Sequence, residues 1–437
     1  MNDSPRRTFL KQAGLAAAVW TGVSSPAGAA ESDRLRIGVI GPGGMGTYHL
    51  RLLTSNPEVE IAWVCDVDER RLAKAAEHVE SVTEKRPQTS TDMRKVFDDP
   101  TIDAVFIATP DHWHAPAAIL ALDAGKHVYV EKPCCHNIRE GRLMIEAVKR
   151  SGKCLQVGTQ SRSTETVRKG VEKVLNGEIG EVLVTKAWNS QRRANIGHRE
   201  ATDPPGYLDF DNWTGPAPKL PYQTNLLPGV WRWWHNFGCG DMGNDGVHDI
   251  DVALWGFGVE EHPSRVACFG GKYHFDDDQQ FPDTQYAVFE YPETGRPVGR
   301  QKQFIFEQRI WSPYPQESYE NGCAWYGTKG MLVMGHTQGW RLYGERGKLL
   351  DQQTGGVDLT SHHQNFFDCV RGKKSKLNAS IEVGHRAATL VHLANIACRV
   401  GSVLEFDPEA EEIVNHAKAN ELVGRKYRDH WGTPKHG

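Results

Sequence analysis

Two stretches of the sequence carry residues able to do chemistry. In VYVEKPCCHN, residues 128–137, an apolar strand from Val128 to Val130 runs out into Glu131, Lys132 and Pro133. A lysine there stands where a strand leaves its sheet, and in parallel α/β sheets ligands bind at the carboxyl ends of strands. In GDMGNDGVHDIDVALWG, residues 240–256, a helix from about Gly243 puts Asn244, Asp245 and His248 within i+3 and i+4 reach, with Asp249 and Asp251 beyond. A histidine oriented by a carboxylate is a general base near neutral pH. The blander reading of His248 is a cap or bridge within its own helix.

The elements that must position these residues begin with RLRIGVIGPGGMGTYHLRLL. An apolar run from Leu35 to Ile40 leads into Gly41, Gly43 and Gly46 in G-x-G-x-x-G spacing, with Gly44 and Met45 inside the turn, and then into a helical pattern through Leu50 and Leu53. Strand, glycine turn and helix in that order form a dinucleotide fingerprint. The glycines permit a tight turn, close approach of a pyrophosphate and packing of helix on strand, while the helix N-terminus supplies free N–H groups. A second strand, VEIAWVC, ends at Asp66, twenty residues beyond Gly46, where a carboxylate accepts hydrogen bonds from the ribose hydroxyls of NAD. Arg70 and Arg71 offer a 2′-phosphate contact instead, so NADP is not excluded; Asp66 would repel that phosphate, and Asp68 reads as a helix cap.

IDAVFIATP is a further strand, and DHWHAPAAILALDAGKHVYVEKP is a helix followed by the strand that leads to Lys132. Alternating strands and helices make a doubly wound parallel sheet. Thr109, Pro110 and His112 follow a strand end, which puts their backbone along the nicotinamide side of a cofactor crevice. His112 and His114 lack a third ligand at metal spacing, so no metal is expected.

The ordered motifs GPGGMG, CDVDERR, ATPDHWHA and AGKHVYVEKP resemble those of the glucose-fructose oxidoreductase, inositol dehydrogenase and rhizopine catabolism (Gfo/Idh/MocA) family, over roughly residues 34–400. The resemblance implies NAD(P)-dependent redox chemistry on sugars or cyclitols. It implies that Lys132 reaches the substrate hydroxyl and the nicotinamide, that Glu131 sits beside the nicotinamide ribose, and that His248 is the acid–base histidine with Asp251 after it. The family also carries an aspartate four residues before that histidine. Here Asn244 occupies the position and Asp245 follows, so either Asp245 takes over or the mechanism differs.

The expected organisation is a signal segment over residues 1–30, a Rossmann domain over 34–157, and an α+β domain with a large, mainly antiparallel open sheet over 158–437. In the last, VACFGGKYHF, TQYAVFEYP and RQKQFIFEQRI read as antiparallel strands, and GHRAATLVHLANIACRVG as a structural helix. Trp231 and Trp233 serve equally as platforms for a sugar ring or as core. Arg192, Arg193 and His198 offer substrate contacts in a loop that reads equally as solvated or oligomer-contacting. An open sheet face favours a homo-oligomer.

Composition limits the remaining choices. The 437 residues are 39% hydrophobic and 24% charged, with a formal charge of −4, which gives no electrostatic footprint for nucleic acid. Arg6, Arg7, Phe9, Leu10 and Lys11, a short apolar run and small residues near Ala29 resemble a twin-arginine export signal, although Pro5 departs from the pattern. A disordered basic terminus is the alternative. No segment of the mature chain has the length and apolarity of a membrane span. The nine cysteines are odd in number and form no C-x-x-C pair, so they do not read as a disulfide framework; Cys134 and Cys135 read as buried hydrophobes. Three functions are compatible: a dehydrogenase, a glycoside-cleaving enzyme that oxidises transiently and eliminates, and a non-catalytic sugar or NADH sensor. An exported enzyme has no free NAD pool, which suits a tightly bound, recycled cofactor.

Overall fold

The computed structural model describes residues 33–292 and 301–435; the twin-arginine reading of residues 1–30 lies outside them. Buried β-branched and aliphatic runs form strands, and amphipathic or small-residue runs between them form helices. The first unit runs β1 (Leu35–Ile40), α1 (Gly44–Thr54), β2 (Val59–Cys65), α2 (Glu69–Thr83), β3 (Gln88–Ser90), α3 (Arg94–Asp98), β4 (Ala104–Ile107), α4 (Asp111–Asp123), β5 (His127–Val130), α5 (Ile138–Ser151) and β6 (Leu155–Val157). Its six strands are parallel in the order β3-β2-β1-β4-β5-β6. The order reverses between β1 and β4, and that switch point opens a crevice at the strands' carboxyl ends.

The chain continues through α6 (Glu165–Leu175), β7 (Val182–Asn189), α7 (Phe210–Thr214), α8 (Val247–Phe257), β8 (Arg265–Gly271), β9 (Thr284–Tyr291), β10 (Lys302–Arg309), β11 (Asn321–Gly327), β12 (Met331–Gly335), β13 (Gly339–Tyr343), β14 (Leu349–Gln353), α9 (Leu359–Val370), α10 (Ile381–Val400), β15 (Leu404–Asp407), β16 (Glu412–Ile413) and α11 (Ala417–Asn420). Ten strands form a mostly antiparallel sheet in the order β14-β13-β12-β11-β7-β10-β9-β8-β15-β16, with β10 and β7 parallel. Period-two alternation sends Ala287, Phe289, Phe304 and Phe306 inward against Ile250, Phe257 and Val391 of α8 and α10. On the other face Phe269 pairs in register with Tyr286, and the two are 80% and 44% exposed.

One late element returns to the first unit. Phe366 and Phe367 of α9 pack against Phe106, which is stacked on Tyr129 at 4.6 Å. No disulfide joins any of the cysteines, and Cys134 and Cys135 are buried. Among the described residues, no helix is long and apolar enough to cross a membrane.

Candidate active site

The crevice at the switch point has a volume of about 640 Å³, within the range of ligand pockets. Gly41, Gly43, Gly44 and Met45 line one end with Asp66, and Thr109, Pro110, Glu131, Lys132, Trp231, Asn244 and His248 line the other. The glycines are needed where they stand. Gly41 has φ +77°, and a Cβ on Gly46 would meet the Gly41 carbonyl oxygen at 2.1 Å. Gly46 does not line the crevice; it lets α1 pack against the turn.

Asp66 ends β2 at the crevice, and burial pushes its carboxyl up to about 6 against the opposing hydrogen bond from Asp68 N (2.9 Å) and the Arg71 charge. Asp68 caps α2 by accepting from Arg70 N at 3.0 Å. The Arg70 guanidinium is committed: it bonds the Asp68 carboxylate at 3.1 and 3.2 Å and lies 3.3 Å from the Tyr207 ring centroid. Tyr207 belongs to a strap over this end of the crevice, where Glu69 N donates to Tyr207 O and Asp209 N to Val67 O, both at 3.0 Å. A glycine turn lining the crevice with the Arg71 guanidinium over Gly43, a helix N-terminus behind it and a carboxylate at the end of β2 fit a bound NAD.

At the other end the Lys132 ammonium donates to the backbone oxygen of Asn244. Asn244 lies in a single π-turn, Met242–Gly246, that leads directly into α8; such turns recur at functional sites. Its side-chain oxygen accepts from Arg232 Nε at 2.6 Å, and its Nδ2 donates to Asp241 at 2.9 Å. His248 begins α8 and lines the crevice, with its Nδ1 buried and unpartnered. Burial, then the Lys132 and His336 charges, hold His248 well below the usual histidine range, so its ring is neutral. The His336 ring stands edge-on to it at 5.2 Å. Burial works against a charge on His336, but Asp249 at 3.0 Å pushes it up to about 9. Glu131 accepts from His49 at 2.9 Å, a bond that holds its carboxyl low against burial.

Besides Gly46, several of the residues singled out from the sequence lie outside the crevice. His112 is buried, with its ring nitrogens toward the Trp213 and Phe237 carbonyls at 2.9 and 3.4 Å. Helical geometry turns it away and brings Asp111 and His114, three apart on one face, to the crevice wall instead. Trp233 is packed as core, and Arg192 is exposed on its loop. Asp245 pairs with Arg193 at 3.3 Å and accepts from Asn321 Nδ2 at 2.8 Å, so its carboxylate faces these partners and does not line the crevice. Asp251 does not orient His248 either; it is held by Arg162 at 2.8 Å. Arg193 is bound to Asp241, and His198 to Asp276 and Asp278. Sequence reasoning missed Asp111, Arg232, Gln160, Tyr207 and Tyr222, which line the crevice. For Asp111 the i, i+3 pairing with His114 was a usable signal; Arg232, between two tryptophans, offered none.

A parallel sheet with a nucleotide crevice at its switch point, closed by a sheet domain that carries His248 to the crevice wall, defines a dinucleotide-dependent oxidoreductase fold. The chain belongs to the Gfo/Idh/MocA family: the model of the oxidoreductase family's NAD-binding Rossmann fold matches residues 35–159, and that of its C-terminal alpha/beta domain matches residues 163–289 and 349–433. The chain is 31% identical to inositol 2-dehydrogenase 2 of Saccharopolyspora erythraea, over 52% of this chain and 55% of that protein. It is 32% identical to an alpha-N-acetylgalactosaminidase of Shewanella oneidensis, over 36% of this chain and 35% of that protein. These alignments thus span about a third to a half of the curated relatives. Among solved structures, the WlbA dehydrogenase of Bordetella pertussis, in complex with NADH and UDP-GlcNAcA, superposes with a TM-score of 0.62 at 18% identity, over 86% of this chain and 99% of that one.

Proposed function

We propose that the protein is an NAD-dependent oxidoreductase that moves a hydride between a secondary hydroxyl carbon of a sugar or cyclitol and the nicotinamide. The observation that carries this reading is the convergence of Lys132 and His248 at one end of the crevice, opposite the end lined by the glycine turn and Asp66. Bound NAD would supply the hydride acceptor. Lys132 holds the hydroxyl oxygen, and the neutral His248 takes its proton. Asp66 would receive the adenosine ribose hydroxyls of that NAD, and Glu131 would hold its nicotinamide ribose.

The test is single-turnover reduction of bound NAD with a panel of sugars and cyclitols. Lys132→Ala and His248→Ala should each slow it by roughly a hundredfold or more while NAD affinity stays almost intact. If Lys132→Ala reduces bound NAD at the wild-type rate with a true substrate, the lysine is structural and this mechanism fails.

A second reading is supported by the Tyr207 strap, which favours a retained nucleotide, and by the galactosaminidase relative. Transient oxidation at one sugar carbon would acidify the neighbouring C–H, loss of that proton would expel the aglycone, and water addition followed by return of the hydride would complete a net hydrolysis. Glycoside cleavage without net NADH would identify this outcome. Export through the Arg6–Arg7 signal belongs to the same proposal, since a retained cofactor suits an enzyme without a free NAD pool. So does a homo-oligomer joined across the sheet face that carries Phe269 and Tyr286.

A further inference from the structure

Arg232 sits in a short 3₁₀ turn, Val230–Trp233, at the reacting end of the crevice. Its guanidinium carbon lies 4.3 Å from the Trp231 ring centroid, Nε donates to the Asn244 side-chain oxygen at 2.6 Å, and Nη1 donates to Gly229 O at 2.9 Å. These contacts fix the plane of the group and leave Nη2 without a partner among the described residues. Asn244 therefore joins two cations through neutral oxygens, Lys132 by its backbone and Arg232 by its side chain.

The nearby carboxylates are engaged elsewhere. Glu131 bonds His49, Asp241 and Asp245 bond Arg193, Asp249 bonds His336 and Asp251 bonds Arg162. Asp111, which also lines the crevice, is the carboxyl whose charge acts most on Arg232, but it forms no ion pair with it and burial disfavours its charge. Among the described residues neither Lys132 nor Arg232 has a carboxylate oxygen within the 4.0 Å of an ion pair. A half-buried guanidinium held in one plane with an open N–H edge is incomplete without an anion, and a carboxylate is its best geometric match.

We propose that the substrate is an acidic sugar, whose carboxylate is held by Arg232 beside the hydroxyl on which Lys132 and His248 act. This inference rests on the oxidoreductase reading and narrows it. A neutral sugar would satisfy Lys132 and leave Arg232 without a counter-ion.

The experiment uses the full chain loaded with NAD and matched probes: glucose with glucuronate, galactose with galacturonate, and glucose 6-phosphate. Both kcat/KM for NAD reduction and calorimetric affinity are measured. The uronates should be preferred over their neutral partners by at least about tenfold, the worth of a charge-assisted hydrogen bond. Arg232→Gln should bring that preference close to parity, and Arg232→Lys, which keeps the charge and loses the planar fork, should reduce it less. Equal preference in the wild type, or a preference unchanged in Arg232→Gln, overturns the acidic-substrate inference while any NAD reduction keeps the oxidoreductase reading. Glucose 6-phosphate outperforming glucuronate overturns the carboxylate assignment. Calorimetric preference for uronates that Arg232→Gln abolishes, without NAD reduction by any probe, supports the binding site and overturns the oxidoreductase reading.

Discussion

Asp66 makes the nucleotide affinity pH-dependent in a way that can be worked out in advance. Burial leaves its carboxyl titrating at about 6 in the nucleotide-free protein, whereas ribose hydroxyls need the ionised form as acceptor. For a ligand that binds only the carboxylate, the dissociation constant is multiplied by one plus the ratio of proton concentration to acid constant. That makes binding at pH 5 about tenfold weaker than at pH 8, or about 1.4 kcal/mol. The folding effect has the opposite sense. A carboxyl raised in the folded state binds more protons there than in the unfolded chain, so this group's contribution to stability falls as pH rises from about 4 to about 6. ADP-ribose, which lacks the nicotinamide ring, removes the reacting group that His248 and Lys132 serve. Its terminal ribose still reaches Glu131, but that carboxyl is held below its ordinary value, against burial, by His49 and stays ionised from pH 5 to 8; the other charged neighbours are Asp68, Arg70 and Arg71. Calorimetry on stripped protein at pH 5, 6, 7 and 8, in two buffers of different ionisation enthalpy, yields both the affinity and the proton released. Asp66→Asn should flatten the profile, and Asp66→Ala should weaken NAD much more than NADP. Affinity that is flat from pH 5 to 8, or an unchanged slope in Asp66→Asn, would refute the reasoning.

The remaining predictions follow from the partners each group has in the fold. Asp245→Asn should lower kcat less than tenfold, far less than Lys132→Ala, because Asp245 serves Arg193 and Asn321; its effect should appear in the melting temperature. Loss of activity as deep as that of Lys132→Ala, with an unchanged melting temperature, would contradict this. His336→Gln removes a cation beside His248, so the acid limb of the pH–rate profile should move to higher pH. The same His336 titrates near 9 in the fold against about 6.5 unfolded, so its stabilisation is complete below about 6.5 and is lost as pH rises through 9; it is worth at most about 3 kcal/mol. Chemical denaturation of wild type and His336→Gln at pH 6 and 9.5 checks both the sign and the size. Replacing Arg6 and Arg7 by Lys should leave folded, NAD-binding protein in the cytoplasm; unchanged export on cell fractionation would dismiss the twin-arginine reading.

What the sequence determined by itself was local. The strand, glycine turn and helix from Leu35 to Leu53, the acid at the end of β2 and Lys132 at the end of β5 all lie within short covalent reach of the elements that create them. Gly46 can be placed from spacing alone because the residue it must clear, Gly41, is five positions away. The alternation of β9 and β10 was legible for the same reason, since side-chain direction in a strand is set one residue at a time.

Only the tertiary structure decided which charge met which. Asp245, Asp249 and Asp251 lie within seven residues of one another, and spacing alone made any of them a companion for His248 or Lys132. Arg193 from the loop after β7, His336 from the turn after β12 and Arg162 from the segment after β6 each claimed one. Such pairings depend on which distant cation is carried to which face, and helical periodicity contains no information about that. The same holds for His112, which packed against the carbonyls of Trp213 and Phe237 over a hundred residues away and left the crevice wall to Asp111 and His114. It holds too for Arg232, whose orientation is fixed by Asn244 on a π-turn that no residue pattern announced. Short-range geometry assembled the nucleotide end of the crevice, and long-range charge pairing decided which groups were left free at the reacting end.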